Sequence, residues 1–245
     1  MNPIRLAALA ATLGALLAGC ASTNNTDLKI DDRGVLIPSL RAGIDISPQT
    51  QSPSIPHTGH AIELAFSGAS GDAAQSLAAG EPSIVFGGRT FAAPTEMRHD
   101  FDWRFGEFAY RYRRFFGDLR PFGIEALVGL GYAQLDLTVA SPTQRASEKL
   151  SNGGVIGGFG LLWKFLPRTS LQSRFTVFVS AEEDDISAAT RLDAYLVQAI
   201  GKNVAARVGA TGWSIESSRE ESFSSPNSRI RARFSGLGLG LDVMF

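Results

Sequence analysis

The sequence predicts an all-β fold, an antiparallel up-and-down transmembrane β-barrel. Apolar residues recur at every second position along most of the chain, which is the period of a β-strand. The chain has 26 glycines, and its aromatic residues are mainly phenylalanine, with 16 phenylalanines against 4 tyrosines and 3 tryptophans. Short turns alternate with long polar stretches such as 140–151 and 218–228, an asymmetry typical of barrels that cross a membrane.

The N-terminal segment carries the features of an export signal. Arg5 precedes an apolar run from Leu6 to Leu17, which is too short to span a bilayer as a helix. The run ends in the tetrapeptide LAGC, whose last residue, Cys20, is the chain's single cysteine. Residues 1–19 are therefore predicted to be a signal peptide. An ordinary signal peptide with a chance cysteine beside its cleavage site is the alternative.

The LAGC tetrapeptide resembles the lipobox of bacterial lipoproteins. The resemblance implies that Cys20 takes a diacylglycerol on its thiol before cleavage and is then acylated on its new amine. A lone cysteine in an exported chain has no intramolecular disulfide partner, which agrees with a lipidated thiol. Ala21 after the cysteine resembles the residue found in lipoproteins that are sent on to the outer membrane.

The mature chain is predicted to hold one domain. Residues 20–34 are mostly small and polar, which indicates a flexible tether between the lipid and a folded body. Residues 35–245 then form the barrel, because their length suits one domain better than two. The 23 basic and 24 acidic residues nearly cancel, so no overall charge favours a nucleic acid partner.

The barrel is expected to contain ten strands. The predicted strands cover 35–46, 60–66, 83–91, 100–114, 121–139, 153–165, 171–181, 191–200, 204–216 and 236–245. An acyl anchor in the inner leaflet, together with a periplasmic C-terminus, requires the first strand to ascend and hence an even number of strands. Eight strands are the alternative, in which Val35 to Ile46 leaves the wall and the weak segment Ser83 to Phe91 is not counted.

The two faces of the predicted strands differ in a way that indicates which one meets lipid. In the last strand Leu237, Leu239 and Leu241 share one face, and glycines with Asp242 share the other. A soluble barrel of the lipocalin type would place its bulky apolar face inside and its charges outside. Here the bulky face is predicted to point outward to lipid, because the opposite face offers only glycine and a few polar side chains for a narrow lumen.

Charged residues on the small face are predicted to form a network that closes the lumen. An unpaired buried ion costs several kcal/mol, so long charged side chains that converge in a narrow barrel are expected to pair. A lumen lined with water is the alternative. The predicted lumen residues are Arg41, Asp45, Glu63, Arg111, Arg113, Glu125, Lys164, Arg174, Asp193, Arg207 and Asp242.

The phrase RPFGIEALVGLGYAQLDL at 120–137 and the unbroken alternation that ends at Phe245 resemble small outer-membrane β-barrel proteins of the OmpA-like transmembrane superfamily. The resemblance implies the outer membrane of a Gram-negative bacterium, contact with its lipids, and recognition of the final strand by the barrel-assembly machinery. Such barrels seldom carry a lipid anchor. A soluble barrel that is tethered to the membrane and binds an apolar ligand is therefore a second hypothesis.

The sequence predicts no catalytic residue, metal site or cofactor. PHTGH at 56–60 lacks the spacing of a metal-dependent hydrolase. His99 and Asp100 are neighbours, so in a strand they point to opposite faces and form no acid-paired base. The favoured function is a non-enzymatic barrel with a structural or surface-interaction role. A barrel enzyme acting on lipid A or peptides is a third hypothesis.

Three arginines extend the lipid-facing register of the last strand beyond its apolar part. Arg229, Arg231 and Arg233 could bind lipopolysaccharide phosphates, because guanidinium groups bind phosphate in bidentate fashion. A solvated extension of the final hairpin is the alternative.

Overall fold

The computed structural model describes residues 28–47, 56–116, 121–180, 186–219 and 228–245, and these form a closed all-β barrel, as predicted. The strands in the described chain are β1 (Leu28–Asp45), β2 (Gly59–Leu77), β3 (Ile84–Phe86), β4 (Arg89–Phe91), β5 (Thr95–Phe116), β6 (Phe122–Ala140), β7 (Arg145–Leu166), β8 (Thr169–Ser180), β9 (Ile186–Ala199), β10 (Val204–Arg219) and β11 (Ser228–Met244). In this part of the chain no helix is long and apolar enough to cross a membrane.

Within the described residues the wall contains nine strands, and its closing pair is parallel. Neighbouring wall strands are antiparallel except β1 and β11. β1 and β11 pair from Leu28 with Ile230 to Gly43 with Met244. Leu28 and Phe245 therefore lie at opposite ends of the barrel. We call these the hairpin end, after β3 and β4, and the Phe245 end.

The expected counts of ten or eight strands are corrected to nine because residues 83–91 do not cross the wall. They fold instead into the β3–β4 hairpin, whose two-residue turn consists of Gly87 and Gly88 at φ values of 57° and 70°. Positive φ at both central residues is the backbone of a tight hairpin turn. Three apolar side chains of the hairpin, Ile84, Phe86 and Phe91, are buried in the main core at the hairpin end.

Several predicted boundaries also differ from the structure, because β1, β2, β5 and β7 are all longer than expected. β1 begins at Leu28, so residues 28–34 of the expected tether belong to the wall. A register shift between Arg33 and Val35, with Gly34 at a φ of 90°, lets this strand continue past an irregularity. β7 already starts at Arg145, which leaves a short connection where a long loop over 140–151 was expected.

The outer surface of the barrel changes character about halfway along its height. In the half toward the Phe245 end, most of the outward side chains are large, apolar and exposed. We call these residues the apolar belt: Leu36, Leu40, Ile44, Ile62, Leu64, Phe66, Phe108, Tyr110, Phe122, Ile124, Val128, Leu130, Tyr132, Val155, Phe159, Leu161, Trp163, Leu192, Leu196, Val208, Leu237, Leu239, Leu241 and Phe245.

Beyond the belt the same strands continue with polar outward residues, and we call this half the extension. Its outer face carries Lys29, Asp31, Arg33, Asp72, Arg98, Asp100, Asp102, Arg104, Asp136, Lys149 and Arg233. β6 shows the change within one strand, since its outward residues pass from Leu130 and Tyr132 to Gln134, Asp136 and Thr138.

The interior changes in the opposite sense at the same level. Inside the extension lies an apolar core that includes Phe101, Trp103, Phe105, Trp213 and Phe234. Inside the belt the lumen holds charged side chains. In the belt half the outer surface is apolar and the interior is charged. In the extension the outer surface is polar and the interior is apolar, so the two halves are inverted relative to each other.

Candidate functional site: the lumen charge network

The lumen inside the belt is occupied by buried ions from eight of the wall strands. Alternation places them inward, because each shares its strand face with buried residues rather than with belt residues. Among the described residues this network contains six arginines, Arg41, Arg111, Arg113, Arg174, Arg191 and Arg207, and five acids, Glu63, Glu107, Glu125, Asp193 and Asp242.

Arg174 on β8 is the centre of the network. Its guanidinium lies 2.6 Å from Glu125, 3.4 Å from Glu63 and 3.6 Å from Glu107. Glu125 also accepts a hydrogen bond of 2.6 Å from Arg113 Nε. Glu63 pairs with Arg111 and lies 3.8 Å from Arg41. These contacts join β1, β2, β5, β6 and β8 across the lumen.

Two further groups complete the ring. Arg191 on β9 lies 3.0 Å from both Glu107 and Asp193, and the hydroxyl of Thr211 contacts Asp193. On the other side Asp242 lies 2.7 Å from Arg207 and 3.6 Å from Arg41. Every charge in the network therefore has an opposite charge within 4 Å, which offsets the cost of removing these ions from water.

The structure brings together nine of the predicted lumen residues and leaves two outside the network. Asp45 lies at the Phe245 end, 2.5 Å from His57 Nε2. Lys164 lies with its Nζ 4.2 Å from the centre of the Phe115 ring. Both residues lie near the Phe245 end of the barrel. Each contacts a residue at that end instead of the central network.

Two members of the network were missed from the sequence, Glu107 and Arg191. Glu107 shares its strand face with Arg111 and Arg113, and Arg191 shares its face with Asp193, so the alternation already assigned both to the lumen. Strand alternation was therefore a sufficient signal for both residues, although most of the predicted lumen residues lie nearer the Phe245 end. Glu107 and Arg191 lie nearer the hairpin end, where the network meets the aromatic core.

The network is covered by aromatic rings on its hairpin side. The Arg191 guanidinium lies 5.2 Å from the centre of the Trp213 ring and 5.8 Å from that of Phe105. Trp213 packs edge-on against Trp103 at 5.1 Å between ring centres. A cavity of about 20 Å³ between Trp213 and the ion pairs has room for a single water molecule. The lumen is thus filled by ion pairs at one level and by aromatic packing above it.

The candidate histidine chemistry is not assembled by the fold. His99 lies in the core of the extension and is fully buried, whereas Asp100 is exposed on the outer surface. Neither ring nitrogen of His99 has a hydrogen-bond partner among the described residues. In the same part of the chain, no three histidine, cysteine, aspartate or glutamate residues lie close enough to hold a metal ion.

Arg231 and Arg233 of the predicted arginine stripe lie on the outer wall of the extension, just above the belt. Arg231 is 3.7 Å from Glu216 on the neighbouring strand. Arg233 is exposed and borders an outer crevice of about 240 Å³ that Phe175, Leu192 and Gly212 also line. The side chain of Arg229 lies outside the described part of the structure, and so does Cys20. Comparison of the chain with protein-family models, with curated proteins and with solved structures finds no match.

Proposed function

We propose that this chain is a non-enzymatic β-barrel lipoprotein of the Gram-negative outer membrane, with a closed lumen and a structural or surface-interaction role. The observation that carries the proposal is the apolar belt around a lumen of buried ion pairs. In water, such a belt would be an exposed apolar surface far larger than soluble monomers tolerate. In a bilayer it meets lipid tails, and the ions are shielded inside.

The height of the belt agrees with a bilayer. On β6 the belt runs from Phe122 to Tyr132, eleven residues. At about 3.3 Å per residue and a strand tilt near 40°, this stretch is about 25 Å tall, which is the height of the apolar band of outer-membrane barrels. All neighbouring wall strands are hydrogen-bonded through this level, so the closed wall exposes no sheet edge to lipid.

The final strand supports recognition by the barrel-assembly machinery. β11 alternates between belt residues and lumen residues up to its end, and Phe245 is exposed on the outer surface. Phe245 also closes the barrel, since its N–H donates to Gly43 O and its carbonyl accepts from Asp45 N, at 3.0 and 2.8 Å. The segment that the machinery would bind is thus the one that completes the wall.

The lipid-binding hypothesis for the arginine stripe is carried by Arg233. The crevice beside it is apolar where Phe175 and Leu192 face the belt, and it is polar where Arg233 and Ser214 face the extension. A lipid with a phosphate head and an acyl tail matches that order of surfaces. Arg231 lies 3.7 Å from Glu216, whereas Asp31, the cross-strand partner of Arg233 that also lines the crevice, lies 3.9 Å from Arg33, so Arg233 is the stronger phosphate ligand of the two.

An arginine scan of the outer wall tests the membrane assignment. Val128→Arg places a charge in the middle of the belt and is expected to cost about 2–4 kcal/mol of folding free energy in a bilayer, whereas Thr138→Arg on the same strand lies in the extension and costs about 1 kcal/mol or less. Folding into liposomes is measured by the heat-dependent shift in gel mobility. Equal folding of both variants would contradict the proposal.

The soluble and enzymatic alternatives have separate tests. A Cys20→Ala chain without residues 1–19 is expected to need detergent; a monodisperse, folded protein in plain buffer would favour the tethered soluble barrel. His99→Ala is expected to leave lipid A structure and surface proteolysis unchanged in cells. A lost activity in that variant would favour a barrel enzyme.

A further inference from the structure

The nine-stranded topology bears on which leaflet holds the acyl anchor. We infer that the lipidated Cys20 lies in the outer leaflet, on the same side of the membrane as the hairpin end and its loops. This inference rests on the proposed function, and it reverses the inner-leaflet position that the even strand count had implied. The lipoprotein would then display its anchor and tether on the cell surface.

The first step is the direction of β1. With an even number of strands the first and last strands run in opposite directions, so both chain termini lie on one side. Here β1 and β11 are parallel, and Leu28 and Phe245 lie at opposite ends. The barrel therefore places the start of β1 on the side away from its C-terminus.

The second step is the orientation of the barrel. At the Phe245 end the belt reaches the last residues of several strands, and three of the four connections are short: five residues join β5 to β6, two join β7 to β8 and four join β9 to β10, whereas thirteen join β1 to β2. At the hairpin end the wall projects beyond the belt with a polar outer surface. Outer-membrane barrels have short turns on the periplasmic side and longer structures outside, which assigns the hairpin end to the cell surface.

The third step is distance. Leu28 precedes Leu36, the first belt residue of β1, by eight residues, which places it about 20 Å above the belt at the usual strand rise and tilt. Cys20 precedes Leu28 by eight residues, so the chain between them spans at most about 28 Å. The near leaflet is within that reach. The far boundary of the belt, about 25 Å lower, is about 45 Å away and out of reach.

A route through the barrel is also closed. A chain that entered at the hairpin end would have to displace the aromatic core around Trp103 and Trp213 and then the ion pairs of Arg174. The cavity between those two layers holds about one water. The anchor therefore reaches lipid along the outer surface of the extension.

Single added cysteines test this inference without changing the length of the tether. In otherwise wild-type full-length chains, Asn24→Cys reports the tether, Ser224→Cys reports the loop between β10 and β11, and Gln51→Cys reports the loop between β1 and β2 at the Phe245 end. Intact cells are treated with a membrane-impermeant maleimide. We expect Asn24→Cys to label as strongly as Ser224→Cys, and Gln51→Cys to label only after the outer membrane is permeabilised.

The outcomes separate the inference from the proposed function. Protection of Asn24→Cys on intact cells, with Ser224→Cys labelled, would place the anchor in the inner leaflet and overturn the inference. Labelling of Gln51→Cys alone would mean an inverted barrel and would also overturn it. The wild-type chain is the matched control, because a thioether at Cys20 leaves no free thiol. Labelling of the denatured wild type would show that Cys20 is not lipidated, and the proposed function would fail instead.

Discussion

Arg174 on β8 donates from its Nε to Glu125 Oε1 on β6 at 2.6 Å, across the intervening strand β7. The residue between them on β7 is Gly160, which pairs with Glu125 on one side and with Arg174 on the other. Because Gly160 has no side chain, the carboxylate and the guanidinium meet directly above it. This contact joins β6 to β8 over a wall strand that contributes no ion to the lumen network.

Removing Glu125 is expected to destabilise the barrel strongly. Glu125→Ala leaves Arg113 without its acid and deprives Arg174 of its nearest one, and breaking a buried ion pair from one side costs about 3–5 kcal/mol. The apparent melting temperature in detergent, read from heat-dependent gel mobility, should fall well below that of wild type. Glu96→Ala, an exposed acid on the outer face of the same barrel, is the matched control and should melt like wild type.

Asp242 is expected to behave in the same way on the other side of the lumen. Asp242→Ala leaves Arg207 without the acid at 2.7 Å and Arg41 without one of its two. Its apparent melting temperature should also fall, whereas Asp242→Asn, which keeps the shape and one accepting oxygen, should lose less. If both substitutions leave melting unchanged, the ion pairs do not contribute to stability.

The barrel is expected to show negligible steady conductance. Ion pairs fill the lumen inside the belt and aromatic rings fill it inside the extension, so no continuous water path connects the two ends. Planar-bilayer recordings of the purified wild type should show no long-lived open level. Steady open channels, together with normal melting of Glu125→Ala, would mean that the side chains line water instead of closing the lumen.

Gly238 on β11 is expected to tolerate no larger side chain. A Cβ at this position would collide with the ring and hydroxyl of Tyr195, which reaches from β9 over Gly209 of β10 and packs under Arg207. Gly238→Val should destabilise the barrel by about 1–3 kcal/mol, the usual cost of overpacking. Gly157→Val is the control on β7, because a Cβ there meets no atom within 4 Å. Equal folding yields for the two variants would contradict this explanation of the glycine.

The stability of the extension should depend on pH through His99. Burial lowers the pKa of His99 to about 4, although Asp100 raises it slightly. The unfolded chain, with a pKa near 6.5, binds the proton more readily than the folded one between these values, so stability is full above pH 6.5 and falls as the pH drops toward 4. Melting curves over this range should show the slope in wild type and not in His99→Leu. Met97→Leu, in the same core, should keep the slope.

The arginine stripe gives a prediction about lipid. Replacing Arg233 with Gln should reduce the lipopolysaccharide that copurifies with the barrel, because its guanidinium borders the crevice at the upper edge of the belt. Arg231→Gln should have a smaller effect, since Arg231 is 3.7 Å from Glu216. Unchanged copurification in the triple variant that also replaces Arg229, with normal assembly, would leave the stripe as a solvated rim.

The barrel and most of its lumen could be predicted from the sequence because alternation is a local signal. Once Leu237 and Leu239 are assigned outward, Asp242 must point inward, and the same reasoning reaches Arg41, Glu125 and Arg174 without knowledge of pairing. Which ions meet could not be predicted. The contact between Glu63 and Arg174 joins β2 and β8, and it depends on the curvature of the closed wall.

The strand count and the parallel pairing of the first and last wall strands could not be predicted from alternation. Pairing between β1 and β11 joins segments that are about 200 residues apart in sequence, and no local pattern records whether they run parallel. The segment 83–91 has strand-like residues, but the Gly87-Gly88 turn divides it into two strands of three residues, too short to cross the wall. The glycine pair was the available signal that this segment is a hairpin.

The inversion between belt and extension has a consequence for insertion. In the proposed outer-membrane location, the charged outer face of the extension, with Arg98, Asp100 and Arg104, would pass the hydrocarbon layer during assembly, where each charge is expensive. Once across, the same charges oppose its return. The energetic barrier would therefore be crossed once, during assembly. Afterwards the same barrier would keep the protein in the orientation in which it was inserted.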